Sequence, residues 1–512
     1  MTDGPRPTAA VAPHAAGPYS LLRWARSRDR ALAERSAGLH APNVDTAMRT
    51  LSRAADHGVL WWGVAGGVAL FGTQARRGAV RGLVATALTS AVANGLLKPV
   101  FPRRRPPARI WRNPRRGVRM PTSSSFPSGH AASAAAFATG VALESPLAGA
   151  VVAPLAAAVA YSRVHNGVHW PSDVAVGAAV GAGIAIGTRR WWAVRSDDPA
   201  ELGPQRDVPA LPDGAGLLVL DNSGAGTASE IMERVRSLLP AATVVDLGGD
   251  EPFGQQFDAA IRRERPQAIG VCGGDGTVAA AAAAAVRHDL PLAVFAGGTL
   301  NHFARDAGAT NVTDVAEAVT AGTALAVDLA EVRAAEHPER DENGNEQRLF
   351  VNTASLGGYP DAVRLRQRWE PRLGKWTAAA LAMARVLRTA EPLHVTIDGR
   401  PTACWMLFVG NGRYSPGDQV PMNRPAMSGG VLDLRYLRAD RRLSRTRLLG
   451  AALTGTLGTS RVYERNLVPA VAVTVAGPSV ALATDGEADG DATAFEFRSC
   501  PRSLTVYRAL PG

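Results

Sequence analysis

The residues best suited to chemistry in the first half of this chain are two histidines, a carboxylate and a set of cations. Lys98 and Arg105 lie in KPVFPRRRP, Ser128, Gly129 and His130 in FPSGHAAS, and Arg163, His169 and Asp173 in SRVHNGVHWPSD. Two guanidinium groups and an ammonium make a fixed positive pocket, and the forked donors of arginine match phosphate oxygens. Two imidazoles can divide the work of nucleophile and proton donor, and a carboxylate four residues after His169 can hold that ring in one tautomer. The pattern suggests phosphoryl transfer through a histidine.

Such residues act together only if the intervening chain folds them to one place. Five apolar runs can do so: Gly58 to Thr73, Gly82 to Leu97, Ala131 to Leu143, Leu147 to Tyr161 and Val174 to Gly187. Each is shorter than the roughly 20 residues that cross a bilayer, so flanking residues must complete a span. One reading is a soluble bundle of buried helices. The scarcity of charge, the Gly and Ala content, and Trp61, Trp62, Trp191 and Trp192 near the ends favour closely packed membrane helices. If the five runs alternate in direction, the end of the second, the start of the third and the junction of the fourth and fifth share one membrane face. Lys98, Arg105, Ser128, His130, Arg163, His169 and Asp173 then converge there.

The motifs K-x6-RP, PSGH and SR-x5-H-x3-D occur intact and in order, and over roughly residues 58 to 190 the chain resembles the type 2 phosphatidic acid phosphatase family. The resemblance implies that His169 attacks phosphorus to give a phosphohistidine, Asp173 orients it, and His130 protonates the leaving alcohol. It further implies that Lys98, Arg105, Ser128, Gly129 and Arg163 hold the phosphate and that no metal is needed. Arg103 and Arg104 are expected to meet lipid headgroups, and His165 to serve local structure.

After a polar, Pro-bearing linker over residues 191–214 the pattern changes to strand, glycine turn, helix. LLVLDNSGAG, AIGVCGGDGT and LPLAVFAGGTLNHFAR each place glycines directly after a short apolar run, which indicates a parallel α/β nucleotide-binding domain over 215–325. Later alternating runs such as LHVTID, VLDLRYL and AVAVTVAG suggest a mostly β, lipid-binding domain over 326–512, interrupted by helix from Asp361 to Leu387. The expected fold class is therefore multidomain: an all-α transmembrane bundle followed by a two-domain kinase.

GGDGT, Gly273 to Thr277, lets backbone approach phosphates where a helix amino end favours anions. Alone it also fits nicotinamide-dinucleotide kinases and phosphofructokinase-like proteins. With NSGAG, GGTLNHFAR and the DGE of Asp485 to Glu487, residues 216 to 510 resemble the diacylglycerol kinase catalytic family. The resemblance implies that Gly273, Gly274, Asp275, Gly276 and Thr277 bind ATP, with Asn222, Thr299 and Asn301 completing the site. Glu487 would take the hydroxyl proton and Asp485 would assist through Mg2+. The chain departs from the family at Ser223, Ala279, Ala280, Ala296 and His302, which bears on substrate choice and rate. A degenerate kinase half that regulates the phosphatase is the alternative.

The charge of +11 suits nucleic acid, anionic lipid headgroups or phosphorylated substrates equally well, and with the two resemblances no nucleic-acid partner is expected. Cys272, Cys404 and Cys500 show no paired spacing, as expected in a reducing compartment. Residues 1–56 are polar, lack a signal peptide, and contain a possible amphipathic helix in LLRWARSRDRALAER. With five spans from residue 57 to 190, the phosphatase site of a multi-pass cell-membrane protein faces outward and the kinase half lies in the cytoplasm. The expected partners are lipid phosphate and lipid alcohol substrates. Neither the lipids nor an oligomeric state can be read from the sequence.

Overall fold

The computed structural model describes residues 18–39, 41–107, 110, 122–195, 198–222, 228–248, 251–298, 301–335, 346–389 and 391–509. The chain forms two compact units, Met1–Val194 and Arg195–Gly512.

The first unit is helical. Polar α1 (Pro18–Gly38) and α2 (Pro42–Ala54) precede α3 (Val59–Val68) and α4 (Thr73–Ala91), whose last turns pass through a π segment, Val92–Leu97, into α5 (Lys98–Val100). Then follow α6 (Gly129–Glu144), α7 (Pro146–His165) and α8 (Pro171–Gly187). Among the described residues three helices are long and apolar enough to cross a membrane: Thr73–Val100, Pro146–His165 and Pro171–Arg190. The first of the five apolar runs forms only the 10-residue α3, because Gly72 at φ 98 breaks the chain before α4. The third run forms α6, which has 16 residues.

Small residues set the spacing of these helices. A Cβ at Gly140 would sit 2.7 Å from Gly82 Cα, and one at Gly181 would sit 2.0 Å from the Ala132 carbonyl oxygen. Backbone therefore meets backbone between α4, α6 and α8, as expected where lipid gives no hydrophobic drive to associate. At the end of the bundle where α6 and α8 finish, the wholly buried Arg81 pairs with Glu144 at 2.6 Å and donates to Thr188 Oγ1 and the Trp192 and Ala193 carbonyls. Lys98, His130, His169 and Asp173 belong to the opposite end.

The second unit opens with β1 (Gln205–Asp207), so part of the expected linker is strand. The strands β2 (Leu217–Asp221), β3 (Thr243–Asp246), β4 (Ala268–Gly273) and β5 (Leu292–Ala296) pair in parallel in the order β3-β2-β4-β5. The helices α9 (Ala228–Leu238), α10 (Phe253–Glu264), α11 (Asp275–His288), α12 (His302–Asp306) and α13 (Val312–Ala321) accompany them. Leu218, Val219, Val271 and Val294 are wholly buried in this core.

An antiparallel region follows, from β6 (Thr323–Ala335), β7 (Glu346–Phe350) and β8 (Thr353–Gly357) to the last strands β14 (Val480–Thr484), β15 (Glu487–Ala492) and β16 (Ala494–Tyr507). The boundary expected after residue 325 falls inside β6, which runs alongside β16 from Ala324 to Ala335. The tail of β16 pairs with β5, so one strand serves both regions. The expected helical interruption is a pair of helices, Gly358–Leu373 and Lys375–Thr389, broken at Gly374 with φ 73.

Gly181→Val is expected to part α6 from α8 and cost about 1–3 kcal/mol of stability, the range of overpacked cores. Gly183→Val, where a Cβ meets nothing within 4 Å, leaves the melting curve unchanged. Thermal unfolding of the purified chain in detergent checks both.

Candidate functional site

The loop between α7 and α8 turns at Gly167, whose φ of 70 is open to glycine, and the Arg163 carbonyl accepts the amides of Val168 and His169. This turn buries the His169 ring. Its Nδ1 lies 2.7 Å from the Ser125 carbonyl oxygen and 3.7 Å from Asp173 Oδ2. The carbonyl accepts the Nδ1 proton, which leaves Nε2 with a lone pair; Arg105 Nη1 stands 3.4 Å from that atom. Burial holds the His169 imidazole down to about 4, against the pull of Asp173 and reinforced by the cations of Arg163 and Arg105.

Asp173 acts on His169 largely through Ser125. Its Oδ2 accepts Ser125 Oγ at 2.6 Å and the Trp170 amide at 2.9 Å, and its Oδ1 accepts Arg103 Nη1 at 2.6 Å. The second nitrogen of Arg103 meets Asp29 Oδ2 at 2.7 Å, and Asp29 Oδ1 accepts the Ser172 amide near the start of α8. Arg103 is thus an internal strut between two carboxylates and not the headgroup contact expected of it. The loop after α5 folds back on the PSGH segment, with the Ser125 amide on the Arg103 carbonyl, and this carries the arginine inward.

The phosphate-holding candidates gather around this core. Arg105 Nη1 donates to the Val168 carbonyl at 2.7 Å, and Lys98 Nζ to Asn94 Oδ1 at 2.8 Å. A Cβ at Gly129 would lie 3.7 Å from Lys98 Nζ, which places this glycine beside the ammonium. The Ser128 amide donates to the Asp173 carbonyl. Among the described residues, the buried Ser128 Oγ and Arg163 Nε are two of the side-chain atoms with no hydrogen-bond partner. His130 Nε2 lies 2.8 Å from Asp56 Oδ1, and Arg163 Nη1 donates to Ser52 Oγ. His165 pairs with Asp45 at 2.6 Å, both buried, in the local structural role expected.

The polar segment before residue 57 is therefore part of the site. Asp29, Asp45, Ser52 and Asp56, together with Ser125 and Arg103, are the residues that sequence reasoning missed. Only Ser125, next to the PSGH motif, offered a signal.

In the second unit β4 ends at Gly273 and α11 begins at Asp275, so GGDGT forms a strand-to-helix turn. A Cβ at Gly276 would sit 2.3 Å from Glu487 Oε1, which puts the Glu487 carboxylate directly over the glycine turn. A Cβ at Gly298 would sit 2.5 Å from Gly274 Cα, so the two glycine loops touch. Asn222 Nδ2 donates to Thr277 Oγ1 at 3.0 Å. Asn301, at φ 49, closes its own loop by accepting the Gly298 amide at 2.9 Å. Asp275 Oδ1 accepts the Phe303 amide. Thr299 lies outside the described residues, as do residues 223–227, which include Ser223. Burial lowers the pKa of His302 against the pull of Asp275.

Asp485 differs from its expected role. Its Oδ1 accepts the amides of Asn352 and Thr353 at 2.7 and 3.0 Å, and its Oδ2 accepts that of Val351 at 2.9 Å. Burial pushes its carboxyl up to about 6, with those three amides opposing. Oxygens so committed fit a post that holds the turn of Asp485 and Gly486, at φ 48 and 90, better than they fit a magnesium ligand. Among the described residues no three His, Cys, Asp or Glu side chains form a ready metal cluster. Asp275 and Glu487 are the carboxylates at the turn, and they suit the sparse protein ligation that magnesium accepts when phosphates supply the rest. Arg424, wholly buried, braces the same region through Asp306 at 2.7 Å, the Val351 carbonyl at 2.6 Å and Asn352 Oδ1 at 3.1 Å.

The PAP2 superfamily model matches residues 79–197, and the diacylglycerol kinase catalytic domain model matches residues 215–332. A decaprenylphosphoryl-5-phosphoribose phosphatase of Mycobacterium tuberculosis is 38% identical over 157 residues, covering 30% of this chain and 82% of that protein. A probable YegS-like lipid kinase of Pseudomonas aeruginosa is 32% identical over 246 residues, covering 46% of this chain and 74% of that protein. A diacylglycerol kinase of Mycobacterium tuberculosis is 28% identical over 275 residues, covering 52% and 84%.

Since its pKa is lowered, the His169 ring stays neutral above a pH of about 4. Nitrogen NMR of labelled protein is expected to show one tautomer, protonated at Nδ1, with no titration between about pH 5 and 8; a midpoint at the ordinary histidine value of about 6.5 contradicts this.

Proposed function

Because the chain belongs to the PAP2 superfamily through its first unit and to the diacylglycerol kinase catalytic family through its second, we propose that this lipid phosphatase joined to a lipid kinase has two independent sites acting in lipid phosphate turnover. The observation that carries the phosphatase reading is the Nε2 lone pair of buried His169, facing Arg105 Nη1 while the Ser125 carbonyl holds Nδ1.

Arg105, Arg163, Lys98, Gly129 and Ser128 receive a phosphate, the unpartnered Ser128 Oγ and Arg163 Nε being donors it would engage. The Nε2 lone pair attacks phosphorus while the phosphorus–oxygen bond to the lipid alcohol breaks and His130 gives that oxygen a proton. Water then attacks the phosphohistidine, His130 takes a proton from it, and the electron pair returns to His169. Fixed guanidinium charge stabilises both transition states without reorganisation. The M. tuberculosis phosphatase makes a polyprenyl-linked sugar phosphate a candidate substrate beside phosphatidic acid.

In the kinase half the GGDGT amides and the loop held by Asn301 cradle ATP, and Glu487 takes the proton of the attacking lipid hydroxyl. Asp485 acts by holding the turn that presents Glu487. Asp275 and Glu487 would hold a magnesium ion arriving with the nucleotide, which would supply charge neutralisation for the transferred phosphoryl group. Ala279, Ala280 and His302 favour a second reading in which this half only binds and regulates.

We place the protein in the cell membrane as a multi-pass chain, with the kinase in the cytoplasm where ATP is and the phosphatase site on the outer face. The exit of the chain past Thr188, at the end of the bundle remote from His169, supports this.

His169→Ala is expected to abolish phosphate release from a lipid phosphate panel and spare ATP-dependent lipid phosphorylation, with Glu487→Ala doing the reverse. Loss of both activities in either variant contradicts independent sites. Wild-type phosphate release without any lipid phosphorylation selects the regulatory reading.

A further inference from the structure

His130 meets a carboxylate that lies outside all three phosphatase motifs. Asp56 stands in the Asp56–Gly58 turn between α2 and α3, and its Oδ1 is 2.8 Å from His130 Nε2. The turn is fixed on both sides, since the Ala55 amide closes α2 on the Leu51 carbonyl and Gly58 takes φ 77 to start α3. The same segment meets the site at two further points. Asp45 and Ser52, seven residues apart, share one stripe of α2 and Asp56 lies in the turn just after it, and they engage His165, Arg163 and His130 respectively.

We propose that Asp56 is the positioning residue of the proton donor: it fixes the His130 ring through Nε2 and favours the charged form of that ring, which donates to the leaving lipid alcohol. This rests on the reading of His169 as nucleophile and His130 as donor. The surroundings make such a partner necessary. Among the described residues, the charged and titratable groups that act most on His130 are Asp56, the Arg163 guanidinium on α7 and the His169 ring from the α7–α8 loop. Burial and the Arg163 cation oppose an imidazolium and hold the His130 pKa down to about 4 even with Asp56 in place, so the charged ring draws on Asp56 together with the negative charge of an arriving phosphate. Asp56 is the one anion among them.

The proton path balances. In the charged ring Nε2–H donates to Asp56 and Nδ1–H faces away from it. As His169 Nε2 bonds to phosphorus, the phosphorus–oxygen pair goes to the departing alkoxide and takes the Nδ1 proton. The neutral ring keeps Nε2–H on Asp56. In the second step a water oxygen bonds to phosphorus, one water proton passes to Nδ1, and the phosphorus–nitrogen pair returns to His169.

An alkyl alcohol needs that proton to leave, whereas p-nitrophenolate does not. The test therefore compares purified full-length wild type, Asp56→Asn, Asp56→Glu and His169→Ala on phosphatidic acid and on p-nitrophenyl phosphate across pH. Removing the carboxylate charge lowers the His130 pKa, so the protonated donor is lost at lower pH. For phosphatidic acid, Asp56→Asn should lower kcat by about ten- to hundredfold with KM nearly unchanged. It should also move the alkaline limb of the kcat profile acidward by about one unit or more. Hydrolysis of p-nitrophenyl phosphate should fall far less, and Asp56→Glu should restore the wild-type limb. Equal losses on both substrates with an unmoved limb, or no loss at all, overturn the proposal. If Asp56→Asn does not fold, a well-folded Asp56→Glu that has lost the wild-type limb overturns it equally. Phosphate release that survives in His169→Ala instead overturns the nucleophile reading, and this inference with it.

Discussion

The phosphatase unit depends on the backbone contact between α6 and α8. A Cβ at Gly177 would lie 2.5 Å from the Ser128 carbonyl oxygen and one at Gly181 would lie 2.0 Å from that of Ala132, so no side chain separates the two helices. Lipid provides no hydrophobic drive for such contact, and close packing of small residues has to supply it. Because the Ser128 amide also bonds the Asp173 carbonyl, the start of α6 is locked to the start of α8. His130, Ser125, His169 and Asp173 follow from that lock, each within a few residues of it.

Both units use a buried carboxylate in the same way. Asp173 spends its oxygens on Ser125, Trp170 and Arg103, and through the Ser125 carbonyl it sets the tautomer of the His169 ring. Asp485 spends its oxygens on three backbone amides and sets the turn that presents Glu487. Neither carboxylate needs to touch a substrate to matter. Removing one partner from such a network leaves buried charge unpaired, which costs more than the network contributes when intact.

Much of this was legible in the sequence. The spacing of the apolar runs and the three motifs was enough to bring seven residues to one end of the bundle, and the repeated strand-glycine-helix pattern was enough to place GGDGT at a strand-to-helix turn. The rest was not readable, for physical reasons. Asp29 and Asp45 sit on polar helices and Asp56 in the turn after them, where a carboxylate that enters a site has the same pattern as one that faces water. Arg103 stood in a run of three arginines, and nothing local marked it as the one that turns inward. Arg424 lies in an irregular stretch without periodicity, and its burial follows from the approach of Asp306, more than a hundred residues earlier. The sharing of β6 and β16 between the two regions of the kinase unit is a matter of pairing, which composition does not record.

The claim on which most rests is that His169 Nε2 forms a covalent bond to phosphorus. Rapid quenching of the purified chain with a radiolabelled lipid phosphate, followed by peptide mapping, tests it directly. The account predicts a phosphoenzyme that survives alkali, is lost in acid and maps to His169. A label that is stable to acid, or that maps to another residue, would contradict it.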